Sequence, residues 1–413
     1  MPFDVEAVRA EFPSLSITDG GRQRVYFDNP AGTQVPRRVV DAVSDCLVRA
    51  NANLGGYFAS SRLAGELVDG AHAAMRDFLN AADSGEIVFG QNTTSLNFHI
   101  ARSIGRELSP GDEIVISRMD HDANVSPWLM LAEDHGLIVR WWDWDTSRFA
   151  LDITRLEQLL SPRTRLVAVT HASNAIGTLT DIPAVVARAH AVGARVYVDA
   201  VQSAPHVPID VQALGCDFLV CSAYKFYGPH QGVLWGKREH LERMTAYRVR
   251  PAGDELPHKY ETGTLSHEGM AGTAAAVEHF AWIGETMGNP AGPGRRAAIE
   301  AGYRVMRAHE EDLTRRLLGG LAALPGLQVL GITGHARLAE RVPTVSFLWE
   351  RHAPSVIARA LAERNICVWS GHNYAVEVYR TLGRESTGGL RVGFAQYNTS
   401  EEVDLLLEAL HAL

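Results

Sequence analysis

The sequence predicts an α/β protein: a large domain built on a mostly parallel sheet, followed by a smaller α+β domain at the C-terminal end. Two observations support this prediction. From about residue 85, short apolar runs alternate with amphipathic stretches, which is the pattern of βα units whose sheet is covered on both faces. Residues 288–294, Gly-Asn-Pro-Ala-Gly-Pro-Gly, then form a glycine- and proline-rich hinge between the two domains.

Each element of the large domain follows from its own pattern. Short apolar runs predict strands, and the amphipathic stretches between them predict helices. In chain order the elements are a strand at 86–90, a helix at 93–107, a strand at 112–117, a helix at 123–135, strands at 137–142 and 165–170, a helix at 181–192, and strands at 195–199 and 218–222.

A second group of elements follows the hinge. A long helical pattern at 295–324 stops at Pro325, because proline cannot continue a helix. After it come strands at 327–330 and 344–348, a helix at 354–364, a strand at 366–369 and a last helix at 400–412. We expect residues 31–287 to form the large domain, and residues 1–30 to fold back onto residues 288–413 to form the small one.

Composition excludes several classes of protein. The chain has 413 residues, of which 46% are hydrophobic and 21% charged, as in soluble globular proteins with more than one domain. A net charge of −9 without a basic run argues against nucleic acid as a partner, and no apolar stretch approaches the roughly 20 residues that cross a membrane. The N-terminus lacks the pattern of an export signal.

The cysteines favour a reduced, cytoplasmic setting. Cys46, Cys216, Cys221 and Cys367 are scattered and show no CxxC spacing, so we expect free thiols and no metal site.

Polar residues gather at or just past the predicted strand ends. They are Asn92, Thr93, His121, Asn174, Asp199, Gln202, Ser222 and Lys225. Ligands of parallel sheets bind at the carboxyl ends of the strands, so we expect these residues to share one site. Lysine is rarely buried without a task, yet Lys225 follows an apolar strand, and Asp199 ends the strand before it. A lysine that forms a Schiff base and an acid that protonates a pyridine nitrogen are what pyridoxal 5'-phosphate needs.

Several motifs, in their order and spacing, resemble the class V aminotransferase family of fold-type I pyridoxal-phosphate enzymes, and most of all its cysteine desulfurase and selenocysteine lyase branch. The resemblance runs from residues 26–36, Tyr-Phe-Asp-Asn-Pro-Ala-Gly-Thr-Gln-Val-Pro, to residues 391–402, Arg-Val-Gly-Phe-Ala-Gln-Tyr-Asn-Thr-Ser-Glu-Glu. It implies a seven-stranded sheet, pyridoxal 5'-phosphate as cofactor, an amino acid as the small-molecule substrate, and a homodimer with shared active sites.

The resemblance also implies catalytic roles. Lys225 would form the Schiff base and move the Cα proton, Asp199 would pair with the pyridine nitrogen, and His121 would stack on the ring. Arg391 would bind the substrate α-carboxylate through a bidentate pair. The plainer alternatives are a helix N-cap at Asp199 and an ordinary loop histidine at His121.

The remaining matched residues would hold the cofactor. Gln202 would hydrogen-bond its phenolic oxygen, with Asn174 close to that oxygen and to the substrate carboxylate. The phosphate would be bound by Asn92 and Thr93 at a strand-to-helix turn, by Ser222 and Tyr224, and by Thr264 from the neighbouring subunit. No P-loop motif is present, so an ATP-binding loop is not supported.

Two positions depart from the desulfurase pattern. Alignment on residues 370–372, Ser-Gly-His, places Tyr374 where desulfurases carry the cysteine that takes sulfur as a persulfide, and tyrosine cannot do so. Cys367 is near in sequence, but we expect it to be a buried core thiol within its strand. Tyr224 stands where desulfurases usually have a histidine, and there the chain looks like kynureninase.

A last candidate lies in residues 51–57, Asn-Ala-Asn-Leu-Gly-Gly-Tyr. In the family this segment enters the substrate pocket, so Tyr57, like Tyr374, is a candidate for substrate binding. An ordinary loop tyrosine is the alternative.

We therefore expect a pyridoxal-phosphate lyase or transferase that acts on an amino acid through an external aldimine and a Cα carbanion. The leading hypothesis is β-elimination of the C–S lyase type, or a related carbon-bond reaction, without persulfide transfer. Aminotransfer is the main alternative. Racemisation or epimerisation, and kynureninase-like C–C bond formation or cleavage in specialised metabolism, are others. The alternative from another class is a non-catalytic protein that keeps the fold.

Overall fold

A seven-stranded sheet forms the centre of the larger part of the molecule. The computed structural model describes residues 3–413, so residues 1 and 2 of the predicted N-terminal segment lie outside the described residues. The strands are β1 (Ile87–Gly90), β2 (Glu113–Ser117), β3 (Ile138–Trp142), β4 (Thr164–Thr170), β5 (Arg195–Asp199), β6 (Phe218–Ser222) and β7 (Gly232–Gly236). Their order is β1-β7-β6-β5-β4-β2-β3, and only β7 runs against the others. The predicted α/β class and mostly parallel sheet are confirmed.

Helices cover this sheet and a smaller one. In chain order they are α1 (Val5–Ala10), α2 (Arg37–Arg49), α3 (Ala59–Leu79), α4 (Thr93–Gly105), α5 (Ser126–His135), α6 (Ile153–Leu159), α7 (Ile182–Ala191), α8 (Val211–Leu214), α9 (Arg238–Arg243), α10 (His267–Ile283), α11 (Arg295–Ala322), α12 (Pro354–Ala362), α13 (Val376–Thr381) and α14 (Ser400–His411). None of them is long and apolar enough to cross a membrane, as far as residues 3–413 are concerned.

The large sheet is buried on both faces because successive side chains of each strand point to opposite sides. Phe89 and Val198 belong to the apolar cluster that contains residues of α3, α7, α10 and α11. Their neighbours Val88 and Tyr197 belong to the cluster under α4 and α5. Strands buried in this way read as continuous apolar runs, which is why they could be predicted from sequence.

A second, antiparallel sheet follows α11. Its strands are β8 (Leu327–Leu330), β9 (Thr344–Trp349), β10 (Trp369–Gly371) and β11 (Gly389–Gly393), in the order β8-β9-β11-β10. Phe27 near the N-terminus packs in the same apolar cluster as Phe347 of β9 and Leu406 of α14. The division of the chain at residues 31 and 288 stays a prediction.

The predicted strand at 366–369 is two separate pieces. Residues Ile366–Cys367 pair in parallel with Val25–Tyr26, whereas β10 begins at Trp369 and pairs with β11. Cys367 is therefore half-buried, and the expectation of a buried core thiol is wrong.

Some elements were not predicted. Helices α2 and α3 precede the first strand of the βα pattern, and α10 is apolar on most sides, so it lacks a clear helical stripe. Strand β7, Gly-Val-Leu-Trp-Gly, is short and bounded by glycines.

Candidate active site

The carboxyl ends of the parallel strands open into one cavity. It contains about 520 Å³ of empty space, part of which is open to solvent. The predicted site residues that line it are Asn92, Thr93, His121, Asn174, Asp199, Gln202, Ser222, Tyr224 and Lys225. Residues that follow β1, β2, β4, β5 and β6 thus meet at one place, as parallel topology requires.

Lys225 ends a short 3₁₀ turn, Ala223–Lys225, directly after β6. Its Nζ donates hydrogen bonds to the backbone oxygens of Pro30, at 2.5 Å, and Ala31, at 2.9 Å. Burial, and next the charge of Arg391, lower its pKa from 10.5 to about 7. A substantial share of this amine is therefore neutral near pH 7, as a nucleophile or base must be.

Asp199 is the last residue of β5, and its carboxylate faces the same cavity. Its Oδ1 accepts a hydrogen bond from the backbone N–H of Val201 at 2.8 Å. Burial raises its pKa to about 6, and the charge of Lys225 opposes this rise. A buried carboxylate with one neutral partner is a strong acceptor for a cationic N–H group in the cavity.

His121 lies in the loop between β2 and α5. Its Nδ1 accepts the backbone N–H of Ala123 at 3.0 Å, so the neutral ring carries its proton on Nε2. Burial, followed by the charges of Lys225 and Arg391, lowers its pKa to about 3. The ring therefore stays neutral, and an aromatic plane of this kind can stack on a flat ligand.

A buried carboxyl group behind His121 holds this loop. Asp120 accepts hydrogen bonds from Asn124 Nδ2 at 2.6 Å, from the backbone N–H of Thr170 at 3.0 Å, and from Ser117 Oγ. Burial raises its pKa to about 7. The sequence did not predict a role for Asp120, because a single acidic residue in a loop belongs to no periodic pattern or motif.

The start of α4 forms an anion cradle. Asn92 caps this 13-residue helix by accepting the backbone N–H of Ser95 at 2.9 Å, and Thr93 Oγ1 lies 2.6 Å from Ser222 Oγ. Free backbone N–H groups and the helix dipole favour a phosphate here. At Gly232 of β7 a Cβ atom would lie 2.5 Å from the carbonyl carbon of Asn92, so the cradle needs glycine at that position.

Arg391 reaches the site from β11 of the smaller sheet. Its Nη1 donates to the backbone oxygen of Asn174 at 3.1 Å, and its Nη2 lies 3.6 Å from Asp28 Oδ1. Burial lowers its pKa. Arg391, Asp28 and Lys225 all line the wider opening that leads outwards from the cavity. Asp28 was missed, although it belongs to the N-terminal motif and follows the short strand Val25–Tyr26.

Several buried polar atoms around the cavity have no hydrogen-bond partner within residues 3–413. They include Gln202 Oε1, Asn174 Oδ1 and Arg391 Nε. Buried polar atoms in native proteins are almost always paired, so these groups fit a polar ligand. With the cradle for a phosphate, Asp199 for a ring nitrogen and Lys225 for an aldehyde carbon, the residues present fit pyridoxal 5'-phosphate.

Besides Arg391, three predicted residues lie outside the inner cavity. Tyr374 is 66% exposed and lines the outer opening. Tyr57 is 97% exposed, Thr264 is exposed as well, and neither lines the cavity or its opening within one chain. Their roles stay predictions for an assembly of two chains.

Comparisons with known proteins agree with this geometry. The family model described as aminotransferase class-V matches residues 25–288 and 296–406. A probable cysteine desulfurase 1 of Mycobacterium leprae is 35% identical over 427 residues, which are all of this chain but only 65% of that protein. The chain thus spans less than two thirds of that relative's length.

Two further proteins match over almost their whole length. An aminotransferase-like protein, FGM3, of Gibberella zeae is 34% identical over 99% of this chain and 98% of its own. The crystal structure of the cysteine desulfurase CsdA from Escherichia coli, in an S-sulfonic acid form, superposes with a TM-score of 0.84 at 30% identity, covering 100% of this chain and 98% of that one. The chain therefore belongs to the class V aminotransferase family, whose members use pyridoxal 5'-phosphate.

Proposed function

We propose that this chain is a pyridoxal-phosphate lyase that removes a β-substituent from an amino acid in a reaction of the C–S lyase type, without passing sulfur through a protein persulfide. The observation that carries the proposal is the side chain at the opening of the site, which is Tyr374 and not a thiol. Within residues 3–413, no cysteine lines the cavity or its opening. Cys367 is held in the two-residue strand against Val25–Tyr26.

The residues of the cavity have different roles in the proposed reaction. When bound, pyridoxal 5'-phosphate supplies an electron sink that stabilises negative charge at the substrate Cα. The α4 cradle holds its phosphate, and Asp199, anionic above about pH 6, holds a proton on its ring nitrogen. The neutral amine of Lys225 takes the proton from the substrate Cα.

The substrate carboxylate is bound by Arg391. Its guanidinium is buried, its Nε has no partner among the residues that the structure describes, and it lies on the same opening as Lys225. A bidentate pair here orients the Cα–H bond towards Nζ, which is the positioning that raises the rate of proton transfer.

We also propose a cytoplasmic homodimer with shared active sites. Thr264 and Tyr57 are exposed in one chain, as residues that complete a neighbouring subunit's site would be. Size-exclusion chromatography with light scattering tests this part: a monomer at working concentration would remove it.

A second candidate function is aminotransfer. Lys225, Asp199 and Arg391 serve that reaction equally well, and the fungal relative that matches over 98% of its length is named aminotransferase-like.

An absorbance screen of the loaded protein against amino acids, with assays for pyruvate, ammonia, sulfide and pyridoxamine phosphate, separates the candidates. The proposal expects a keto acid and ammonia in equal amounts, with sulfide when the β-substituent is a thiol. Pyridoxamine phosphate without ammonia would establish aminotransfer. Inversion of the substrate with no other product would establish a racemase. A protein that stays colourless with added pyridoxal 5'-phosphate would refute the enzyme assignment.

A further inference from the structure

Residues 372–375, which we call the outer wall, connect β10 to α13 and form one side of the opening of the site. The ring of Tyr374 stacks on that of His121, with centroids 5.5 Å apart and planes 25° from parallel. Asn373 and Tyr374 have φ angles of +51° and +58°; asparagine tolerates this left-handed region, whereas tyrosine adopts it at a cost in free energy. The outer wall must therefore be held by its neighbours.

Two hydrogen bonds from the large-sheet side hold the wall's backbone. The backbone N–H of Asp122 donates to the Tyr374 oxygen at 2.8 Å. Asn174 Nδ2 donates to the Asn373 oxygen at 2.7 Å. Both donors lie in loops that line the cofactor cavity, so the wall is tied to the site itself.

An ion pair fixes the same segment from behind. Glu377, buried in the first turn of α13, pairs with Arg118, which follows β2 and stands three residues before His121. Arg118 is itself held, because its Nε lies 2.8 Å from Asp143 Oδ1 and its guanidinium carbon 4.3 Å from the centre of the Trp141 ring. Glu377 thus joins the wall to the loop that carries His121.

Apolar packing runs alongside this pair. Ala375, Val378 and Tyr379 share a buried cluster with Met119 and Trp144. The first three belong to the wall and α13, Met119 lies in the loop that carries His121, and Trp144 follows β3, so apolar contacts join the same regions as the ion pair.

We propose that Glu377 is a positioning residue: its pair with Arg118 holds the outer wall closed, so that Tyr374 is a fixed support for the His121 ring and a fixed boundary of the substrate opening. The wall is then part of a rigid site and not a mobile arm. The kinetic consequence rests on the proposed function, whereas the structural claim does not. Glu377 lines neither the cavity nor its opening, so it acts through Tyr374 and His121.

Hydrogen–deuterium exchange on the unloaded protein tests the structural claim. Glu377→Gln should exchange about tenfold faster than wild type in peptides covering 119–125 and 371–379, which corresponds to about 1.4 kcal/mol of local opening. The matched control is Glu385→Gln. Glu385 pairs with Arg380 of α13, which also contacts Glu377, but the Glu385–Arg380 contact is about half exposed and Glu385 does not contact Arg118. Its exchange should equal that of wild type.

A thermodynamic cycle keeps the test decisive if Glu377→Gln folds poorly. Arg118→Gln should open the same two peptides, and the double variant should open them by less than the sum of the two single variants, because each single variant already breaks the shared pair. The proposal is overturned if Glu377→Gln behaves like Glu385→Gln, or if the wall of the wild-type protein exchanges completely at the earliest time.

Turnover of the loaded enzyme gives the second readout. Glu377→Gln should raise KM for the amino acid severalfold and change kcat by less than about twofold, because the wall bounds the substrate and Glu377 meets no reacting atom. Failure of the proposed reaction would leave the exchange result intact. A normal exchange pattern together with a working lyase would refute only the role of Glu377.

Discussion

Lys225 and Asp199 stand at the ends of adjacent parallel strands and face one cavity, where each charge favours the other. The pairing of β5 with β6 aligns Asp199 with Val220, and Lys225 follows three residues after β6 ends. The positive charge of Lys225 lowers the pKa of Asp199, and the negative charge of Asp199 raises that of Lys225, both against the larger effect of burial. Perturbed groups that face each other in a cleft are typical of active sites.

Replacing Lys225 separates chemistry from binding. Lys225→Ala removes the Nζ that takes the Cα proton, so turnover should fall about a hundredfold to ten-thousandfold. The phosphate cradle at α4 remains, so pyridoxal 5'-phosphate should still bind, as shown by equilibrium dialysis and by absorbance. Lys237→Ala is the control, since that side chain pairs with Asp217 away from the cavity. Normal turnover in Lys225→Ala would refute the assignment.

The same lysine should set the pH dependence of stability. Burial lowers the pKa of Lys225 from 10.5 to about 7 in the folded protein without cofactor. The unfolded chain therefore binds more protons between these values, and the stability of the unloaded protein rises with pH through that window. Lys225→Met removes the free-energy cost of keeping a charged amine in the buried site. This cost is largest at and below the folded pKa.

The expected gain for Lys225→Met is a few kcal/mol near neutral pH, because each pKa unit corresponds to about 1.36 kcal/mol. The gain should shrink steadily as the pH rises from about 7 towards 10.5, because the wild-type protein recovers stability over that window. Urea unfolding at several pH values measures both curves. A gain that is independent of pH would mean that Lys225 has the same pKa in the folded and unfolded states.

Sequence alone predicted the parts of this fold that repeat a simple pattern. The strands that end at Thr170, Asp199 and Ser222 are apolar runs buried on both faces, so their existence and their shared edge follow from periodicity. The antiparallel β7 could not be predicted in this way, because a short segment bounded by glycines has no clear period.

The residues of the site also fall into those that a sequence pattern predicts and those that it does not. Lys225 and Asp199 lie directly after strands, whereas Arg391 could be placed in the site only through the resemblance, since it comes from a different sheet. Asp120 accepts a hydrogen bond from the backbone N–H of Thr170, and Glu377 pairs with Arg118. No local pattern encodes such contacts between segments distant in sequence. Tyr57 is exposed in the single chain, so its place in the pocket of a two-chain assembly stays a prediction.

Removing Arg391 should weaken substrate binding more than catalysis. Hydrogen bonds to a charged group are worth roughly 1.5–3 kcal/mol, so Arg391→Ala should lower kcat/KM about tenfold to a hundredfold, mostly through KM. Arg391→Lys keeps the charge without the bidentate geometry and should fall in between. Steady-state kinetics with an amino acid and with its decarboxylated amine provide the measurement. If KM for the amino acid is unchanged, the carboxylate is bound elsewhere.

Cys367→Ser tests whether any thiol of the chain carries sulfur. Cys367 is half-buried, and burial raises the pKa of its thiol, so little of it is the reactive thiolate near pH 7. Its backbone is also held by the strand pairing with Val25–Tyr26, on a surface that does not line the cavity. We therefore expect Cys367→Ser to retain activity within about twofold of wild type, as the control Cys46→Ser should.

Mass spectrometry of the wild-type enzyme during turnover should detect no added sulfur on the peptide that contains Cys367. Loss of sulfide release in Cys367→Ser alone, or a persulfide on that peptide, would show that the chain uses a protein thiol after all. In that case Cys367, and not the residue at position 374, would carry the sulfur, and the proposed elimination without persulfide would be wrong.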